Sequence, residues 1–261
     1  MPGVDLARFD ALTFDCYGTL IDWERGILDA LHAALGSAGL AGDDAGLAGS
    51  ESVPASEPIP GGGSIPGDEA LLEAFARHEA AIEAGPYVRY REVLRRTVRA
   101  IGDELGHAPG EAAVEAFGGS VAEWPAFPDS PLALADLTAR FRLGVITNCD
   151  DDLFAASERR LGVRFDEVVT AQQARRYKPN PRGFELMFER LGLPTSRILH
   201  VAQSLYHDHV PAKRLGLATA WVNRRAGRAG AGATPPATAT PDLVVPDLRA
   251  LADLAIVALP G

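Results

Sequence analysis

The sequence predicts an α/β fold, a parallel sheet with helices on both faces and an inserted layer of helices. Three observations predict it. From Pro131 onward, short apolar runs alternate with amphipathic helical patterns. Near the N-terminus, a strand-like run ends in Asp15 and is followed at once by Gly18-Thr19. Between that strand and Pro131, the only periodicity is helical. Strand–helix alternation of this kind implies parallel strands joined by helical crossovers.

Each element has its own signal. Residues 11–15 read as a strand. Residues 28–35 read as a helix with Leu28, Leu31, His32 and Leu35 on one face. Residues 41–68 turn to Gly, Ala, Ser, Pro and acids around Gly61-Gly62-Gly63, the composition of a flexible insertion. Helical period returns at Asp68, a candidate N-cap, with Leu71, Leu72, Phe75, Ala76 and Ile82 on one stripe. A second helix runs over about 90–105 and a third over about 110–117. Then come a helix at 132–138, strand 142–146, helix 153–161, short strand 167–169 and helix 182–191. Strand 198–202, helix 211–215, strand 218–222, a Gly/Ala/Pro/Thr-rich loop at 226–241 expected to be mobile, strand 243–245 and a closing helix complete the chain.

Composition narrows the function classes. The chain has 261 residues and a formal net charge of −10. An acidic balance argues against nucleic acid or anionic membrane as partner. No apolar run is long enough to span a bilayer, and residues 1–5 resemble no signal peptide. Cys16 and Cys149 form neither a disulfide framework nor a metal cluster, which fits a reducing cytoplasm. The expected partner is a small-molecule substrate; a homodimer stays open.

Four polar groups close four expected strands. A carboxylate at the tip of a buried strand, as at Asp15, can act as a nucleophile and form an ester. Thr147 and Asn148 follow a strand and can donate hydrogen bonds to an anionic group. Lys178, held in Tyr177-Lys178-Pro179, can pair with a carboxylate or bound anion. Asp208, one short turn past another strand, can orient water, act as a base, ligate metal or cap a helix. His207 beside it fits a structural role better than a base. Thr147, Lys178 and Asp208 follow one another at steps of 31 and 30 residues, the length of successive βαβ units. Four parallel strand ends then converge on one crevice.

In order along almost the whole chain, Phe14-Asp15-Cys16-Tyr17-Gly18-Thr19-Leu20, Ile146-Thr147-Asn148, Tyr177-Lys178-Pro179 and Gln203-Ser204 through Asp208 resemble the haloacid dehalogenase-like hydrolases. The inserted helices resemble the cap of the branch that contains the 2-haloacid dehalogenases. The resemblance implies a Rossmann-like core over residues 1–21 and 128–261 and a helical cap over 22–127. It implies Asp15 as nucleophile, Lys178 as its cation, and Asp208 as the group that positions water, helped by Ser204. Thr147 and Asn148 would hold the leaving group or substrate anion, and Tyr17 would contact substrate. Arg77 is the candidate cap arginine for a substrate carboxylate. Tyr17, Trp23 and Tyr87 are candidates to line the pocket or to be ordinary packing.

Tyr17 stands where the phosphatases of that family carry a second Asp, and Ala202-Gln203 stands where they carry the acidic pair that holds magnesium. Halide leaves without a proton, and a neutral amide is a weak ligand for magnesium. These departures favour hydrolytic dehalogenation of a short 2-haloacid without cofactor. Ser204 replaces an Asn of the dehalogenases, and Asp208 has the spacing of some phosphatases. A magnesium-dependent phosphatase with Asp15 and Asp208 as ligands, or a non-catalytic ligand-binding protein of the same fold, are the alternatives.

Overall fold

A computed structural model describes residues 4–36, 65–228, 230 and 232–259. Residues 41–64 of the expected flexible insertion lie outside the described residues. Its last residues, 65–68, lead directly into a helix that starts at Asp68.

Six strands form one parallel sheet: β1 (Ala11–Phe14), β2 (Arg142–Thr147), β3 (Glu167–Thr170), β4 (Ile198–Ala202), β5 (Ala218–Val222) and β6 (Leu243–Val245). Their order across the sheet is β3-β2-β1-β4-β5-β6. β1 therefore sits centrally, with Phe14 in register with Val145 of β2 and Val201 of β4. The order reverses direction at β1, and crevices at such reversals are where α/β sheets bind ligands.

Among the described residues, five α-helices lie between β1 and β2 in the chain, and the first four are α1 (Trp23–Gly36), α2 (Asp68–Glu83), α3 (Tyr90–Leu105) and α4 (Glu111–Gly119). They bury Leu71, Phe75, Val93, Leu94, Val98 and Phe117 among themselves. Trp23 and Phe75 meet edge to face at 6.4 Å. The remaining helices are α5 (Ser130–Thr138), α6 (Asp151–Leu161), α7 (Ala171–Ala174), α8 (Arg182–Leu191), α9 (Val210–Arg214) and α10 (Leu248–Ala258).

The period-2 alternation of the strands divides the core in two. Leu12, Phe14, Leu143, Val145, Leu199 and Val201 face one cluster, which runs on to Leu134, Leu153 and Leu251 of α5, α6 and α10. Ala11, Ile146, Val169 and Ile198 face the other, with Phe184, Met187 and Leu191 of α8. A Cβ on Gly144 would stand 2.9 Å from the Met187 sulfur, so β2 needs glycine there to let α8 approach. Three polar residues follow from two-sided burial: Thr13, His200 and Thr219 are fully buried within strands.

Helix starts fall earlier than the apolar period alone suggests. α5 begins at Ser130, where Pro131 serves the first turn, and α6 begins at Asp151 with two acids at its N-terminus. The 226–241 loop is tied down rather than loose over its described part. Gly232 N–H donates to Glu69 of α2 at 3.1 Å and Ala233 N–H to Glu24 of α1 at 3.4 Å, and Ala233 is fully buried.

Candidate active site

Asp15 follows the last residue of β1, and its backbone N–H still donates to Val201 O at 3.0 Å. The chain then turns sharply. Leu20 and Ile21 N–H donate to Cys16 O at 2.7 and 3.0 Å, and Gly18 adopts φ +88° beside the Trp23 indole. A side chain at Gly18 would be strained at that φ and would press on the ring. This turn points the Thr19 hydroxyl back at Asp15, to whose Oδ2 it donates at 2.6 Å. Thr19 Oγ1 in turn accepts from Gln203 N–H at 2.9 Å, and Arg224 donates to Thr19 O at 2.9 and 3.2 Å.

Lys178 is the centre of the site. Only 4% of it is exposed. Its Nζ donates to Asp15 Oδ1 at 2.9 Å, Asp208 Oδ1 at 2.7 Å and Ile146 O at 2.8 Å. An ammonium has three protons, so this one is fully used. Asn148 holds the lysine in place: its Oδ1 accepts from Lys178 N–H at 2.7 Å and its Nδ2 donates to Lys178 O at 3.1 Å.

Asp208 lies in a wide helical turn, Leu205–His209, that Ser204 opens by accepting His207 N–H at 2.9 Å. Asp208 is fully buried. Its Oδ1 meets His200 Nε2 at 3.0 Å, and His200 Nδ1 meets Thr13 Oγ1 at 3.0 Å across the sheet. Asp208 Oδ2 has no partner among the described residues. Burial alone would raise the Asp208 carboxyl, but Lys178 and His200 overcome it and hold it well below the ordinary range. Burial pushes Asp15 up. Lys178 pulls it back and the Asp208 charge pushes it up again, leaving it above its ordinary value. Lys178 loses charge preference to burial and regains more from the two aspartates, which carry it to about 12.

An inner cavity of about 30 Å³, room for a water or a small leaving group, touches Asp15, Lys178, Asp208 and Ser204. Tyr17, Trp23 and Asn148 complete the floor, and Glu79, Glu83 and Tyr90 form the wall on the side of α2 and α3. Glu83, Lys178 and His207 also line an outer cavity of about 620 Å³, bounded by Tyr87, Tyr177 and Tyr206.

A model of haloacid dehalogenase-like hydrolases matches residues 9–214. The chain belongs to that family. It is 28% identical to an (S)-2-haloacid dehalogenase of Pseudomonas sp. (strain YL) over 175 residues, 64% of this chain and 71% of the relative. It is 33% identical over 108 residues to haloacid dehalogenase-like hydrolase domain-containing protein 3 of Danio rerio, 40% of this chain and 44% of that relative. It is 35% identical over 100 residues to a glyceraldehyde 3-phosphate phosphatase of Methanothermobacter thermautotrophicus, 37% and 44% of the two chains. The solved L-2-haloacid dehalogenase of Xanthobacter autotrophicus shares the fold, with a TM-score of 0.70 at 22% identity over 95% of this chain and 98% of that one.

In this haloacid dehalogenase-like hydrolase, Asp15, Lys178, Asp208 and Ser204 come together around one cavity. Three residues are placed differently from the roles expected of them. Arg77 lies on the outer surface, bidentate to Glu104 at 2.8 and 3.0 Å. The helical rotation of about 100° per residue explains this: Glu79 and Glu83 face the cavity, and Arg77, two residues before Glu79, points away. Asn148 lines the cavity, but its amide is spent on the Lys178 backbone, with Nδ2 also 3.4 Å from Glu83. Thr147 ends β2 with its buried Oγ1 unpartnered among the described residues, and it does not line the inner cavity.

Tyr17 presents its ring to the cavity while its hydroxyl meets Ser157 Oγ at 3.1 Å. Burial pushes that phenol well above its ordinary value. Trp23 borders the inner cavity and Tyr87 the outer one. His207 borders both, and burial lowers it to about 4, so it is neutral near pH 7.

Sequence reasoning missed Glu79, Glu83, Tyr90 and His200. The acids had a signal: 75, 79 and 83 continue the apolar stripe of α2 at steps of four. Tyr90 donates to Glu79 Oε1 at 2.6 Å. Asp150, also missed, accepts from Tyr90 and Arg91 N–H at 3.0 and 3.1 Å and so caps α3 from the strand side.

If magnesium served as cofactor, Asp15 and Asp208 are the residues that would hold it. Lys178 Nζ occupies Asp15 Oδ1 and Asp208 Oδ1, which leaves Asp15 Oδ2, bonded to Thr19, and Asp208 Oδ2, unpartnered among the described residues, as the oxygens an ion would take. Gln203 lines a different cavity, beside Arg224. Among the described residues, no group of three or more His, Cys, Asp or Glu is placed to hold a metal.

Proposed function

We propose that this hydrolase acts without a metal through an ester on Asp15, releasing halide from a short carbon chain halogenated next to an acyl carbon, the class that contains the 2-haloacids. Residues 22–127 serve as the cap over that reaction. The observation that carries this is the buried Asp15–Lys178–Asp208 triad with Asp208 Oδ2 left without a partner among the described residues. An Asp15 oxygen bonds to the carbon as the carbon–halogen bond breaks, and halide leaves with the electron pair. Lys178 and Thr19 orient the carboxylate, which restricts its approach to one direction. Water then attacks Cγ of Asp15. Asp208 Oδ2 takes one of its protons and passes it to the departing alkoxide, which frees the alcohol; Asp15, left as the acid, loses water's other proton to solvent and is again a carboxylate. The absence of an acid at Tyr17, whose hydroxyl is turned to Ser157, suits a leaving group that needs no proton.

Halide released from L-2-chloropropionate or its amide in excess EDTA, by the wild type and not by Asp15→Asn, supports this reading. Failure of both substrates overturns it. The phosphatase relative favours a second reading, hydrolysis of a phosphate ester. Phosphate release from an ester panel that strictly requires magnesium would replace the first reading by the second.

A further inference from the structure

The wall of α2 and α3 carries acids where a substrate anion would need a cation. Glu79 is buried and bonded to Tyr90. Glu83 stands at the junction of the inner and outer cavities, with its Oε1 buried and unpartnered among the described residues. Across the same cavity, the fully buried Asp208 also leaves an oxygen unpartnered among the described residues, the one that faces water in the ester mechanism. Among the described residues, the one cation bordering the inner cavity, Lys178, has all three protons engaged by Asp15, Asp208 and Ile146 O. Arg77 is on the far side of its helix, paired with Glu104.

We propose that Glu83, backed by Glu79, sets the substrate class: the acyl end beside the reacting carbon is uncharged and donates hydrogen bonds, as a carboxamide does, and a carboxylate is disfavoured. This rests on the reading of Asp15 as the ester-forming nucleophile.

The electrostatics agree with the geometry. Two aspartates already share one lysine, and a third anion would enter a water-poor space without a counter-charge, where desolvation is costly. A carboxamide instead brings an N–H to Glu83 Oε1, which has no partner among the described residues, and satisfying it removes the cost of leaving it buried and bare, while Asp208 Oδ2 stays free for water. Sites that hydrogen-bond a substrate group discriminate strongly, because the wrong substrate leaves buried polar atoms unpaired.

The test compares 2-chloropropionamide with 2-chloropropionate on wild type and Glu83→Gln. The wild type is expected to favour the amide by at least tenfold in kcat/KM. Glu83→Gln is expected to raise kcat/KM for the carboxylate at least fivefold and not for the amide. A wild-type preference for the carboxylate, or equal response of both substrates to Glu83→Gln, overturns the proposal. A binding arm separates this from failure of the ester mechanism. Asp15→Asn is titrated with lactamide and with lactate, and the shift in Tm is read. Stabilisation by lactamide alone upholds the specificity even if neither chloride is released. Stabilisation by lactate alone, or by neither, overturns it.

Discussion

Replacing Lys178 by Met removes one charge from a buried triad and nearly preserves the volume. The lysine is 4% exposed and lies 2.9 Å from Asp15 and 2.7 Å from Asp208. Without it, two carboxylates face each other in a space that excludes water. Breaking a buried pair by removing one partner costs about 3–5 kcal/mol. That is a large share of a typical total stability of about 5–15 kcal/mol.

The cost depends on pH, and the sign follows from the shifts. In the wild type, Asp208 is held below its unfolded value, so its contribution is present above that value and lost as pH falls. Lys178 is raised to about 12, so its contribution is constant from pH 5 to 8 and lost only above about 10.5. In Lys178→Met the aspartates share a proton whose folded pKa is raised, so stability is lost as pH rises. The gap between the proteins should therefore be about 3–5 kcal/mol at pH 8 and smaller by at least about 1 kcal/mol at pH 5. Urea unfolding followed by tryptophan fluorescence at both pH values measures it. Adding Asp208→Asn to the variant should recover part of the loss at pH 8. A gap under about 1 kcal/mol, or one equal at both pH values, would refute the view that Lys178 is the cation of a charged triad.

Asp208→Asn should slow hydrolysis of the ester more than its formation, so that the intact-protein mass gains the acyl group in substrate; no adduct at any time would speak against Asp208 as the water-positioning base. His207 and His209 are both lowered to about 4, chiefly by burial, so their contribution is full above about pH 6.5 and drains as pH falls towards 4. Glu79, raised to about 7 by burial, contributes in the opposite sense, with stability present below about 4.5 and lost as pH rises towards 7. A His207→Gln/His209→Gln protein should lose less stability than the wild type between pH 6.5 and 4 in urea titrations, and an unchanged slope would be the contrary result. Gly26→Ala would place Cβ 2.3 Å from the Trp124 ring and should destabilise by about 1–3 kcal/mol, read as a lower Tm.

Much of the fold is legible because its signals are local. Strands at 198–202, 218–222 and 243–245 and helices at 90–105 and 182–191 have the bounds that periodicity and turn residues indicate. The acidic and lysine motifs are legible as well, since the βαβ spacing that brings Asp15, Lys178 and Asp208 together is written in the chain. The cavity wall was harder to read. Acids on a helix ordinarily face water, and only their place on the stripe through Phe75 betrays Glu79 and Glu83. Arg77 looked attractive by residue type, but the rotation of α2 sends it outward. Asn148 grips the backbone of a residue 30 positions away, and His200 reaches Asp208 through a packed sheet face. Such partnerships depend on tertiary approach and leave no periodic trace. The 226–241 loop shows the same: its composition is that of a free segment, and Glu24 and Glu69 on distant helices accept from Ala233 and Gly232 N–H.

The ester on Asp15 is the centre of the account, and a single turnover in H₂¹⁸O tests it most directly. Enzyme in excess over 2-chloropropionamide, with EDTA present, should yield product free of label and one ¹⁸O in the peptide that contains Asp15. Label in the product of that first turnover, with Asp15 unlabelled, would mean that water attacks the substrate directly and would contradict the mechanism.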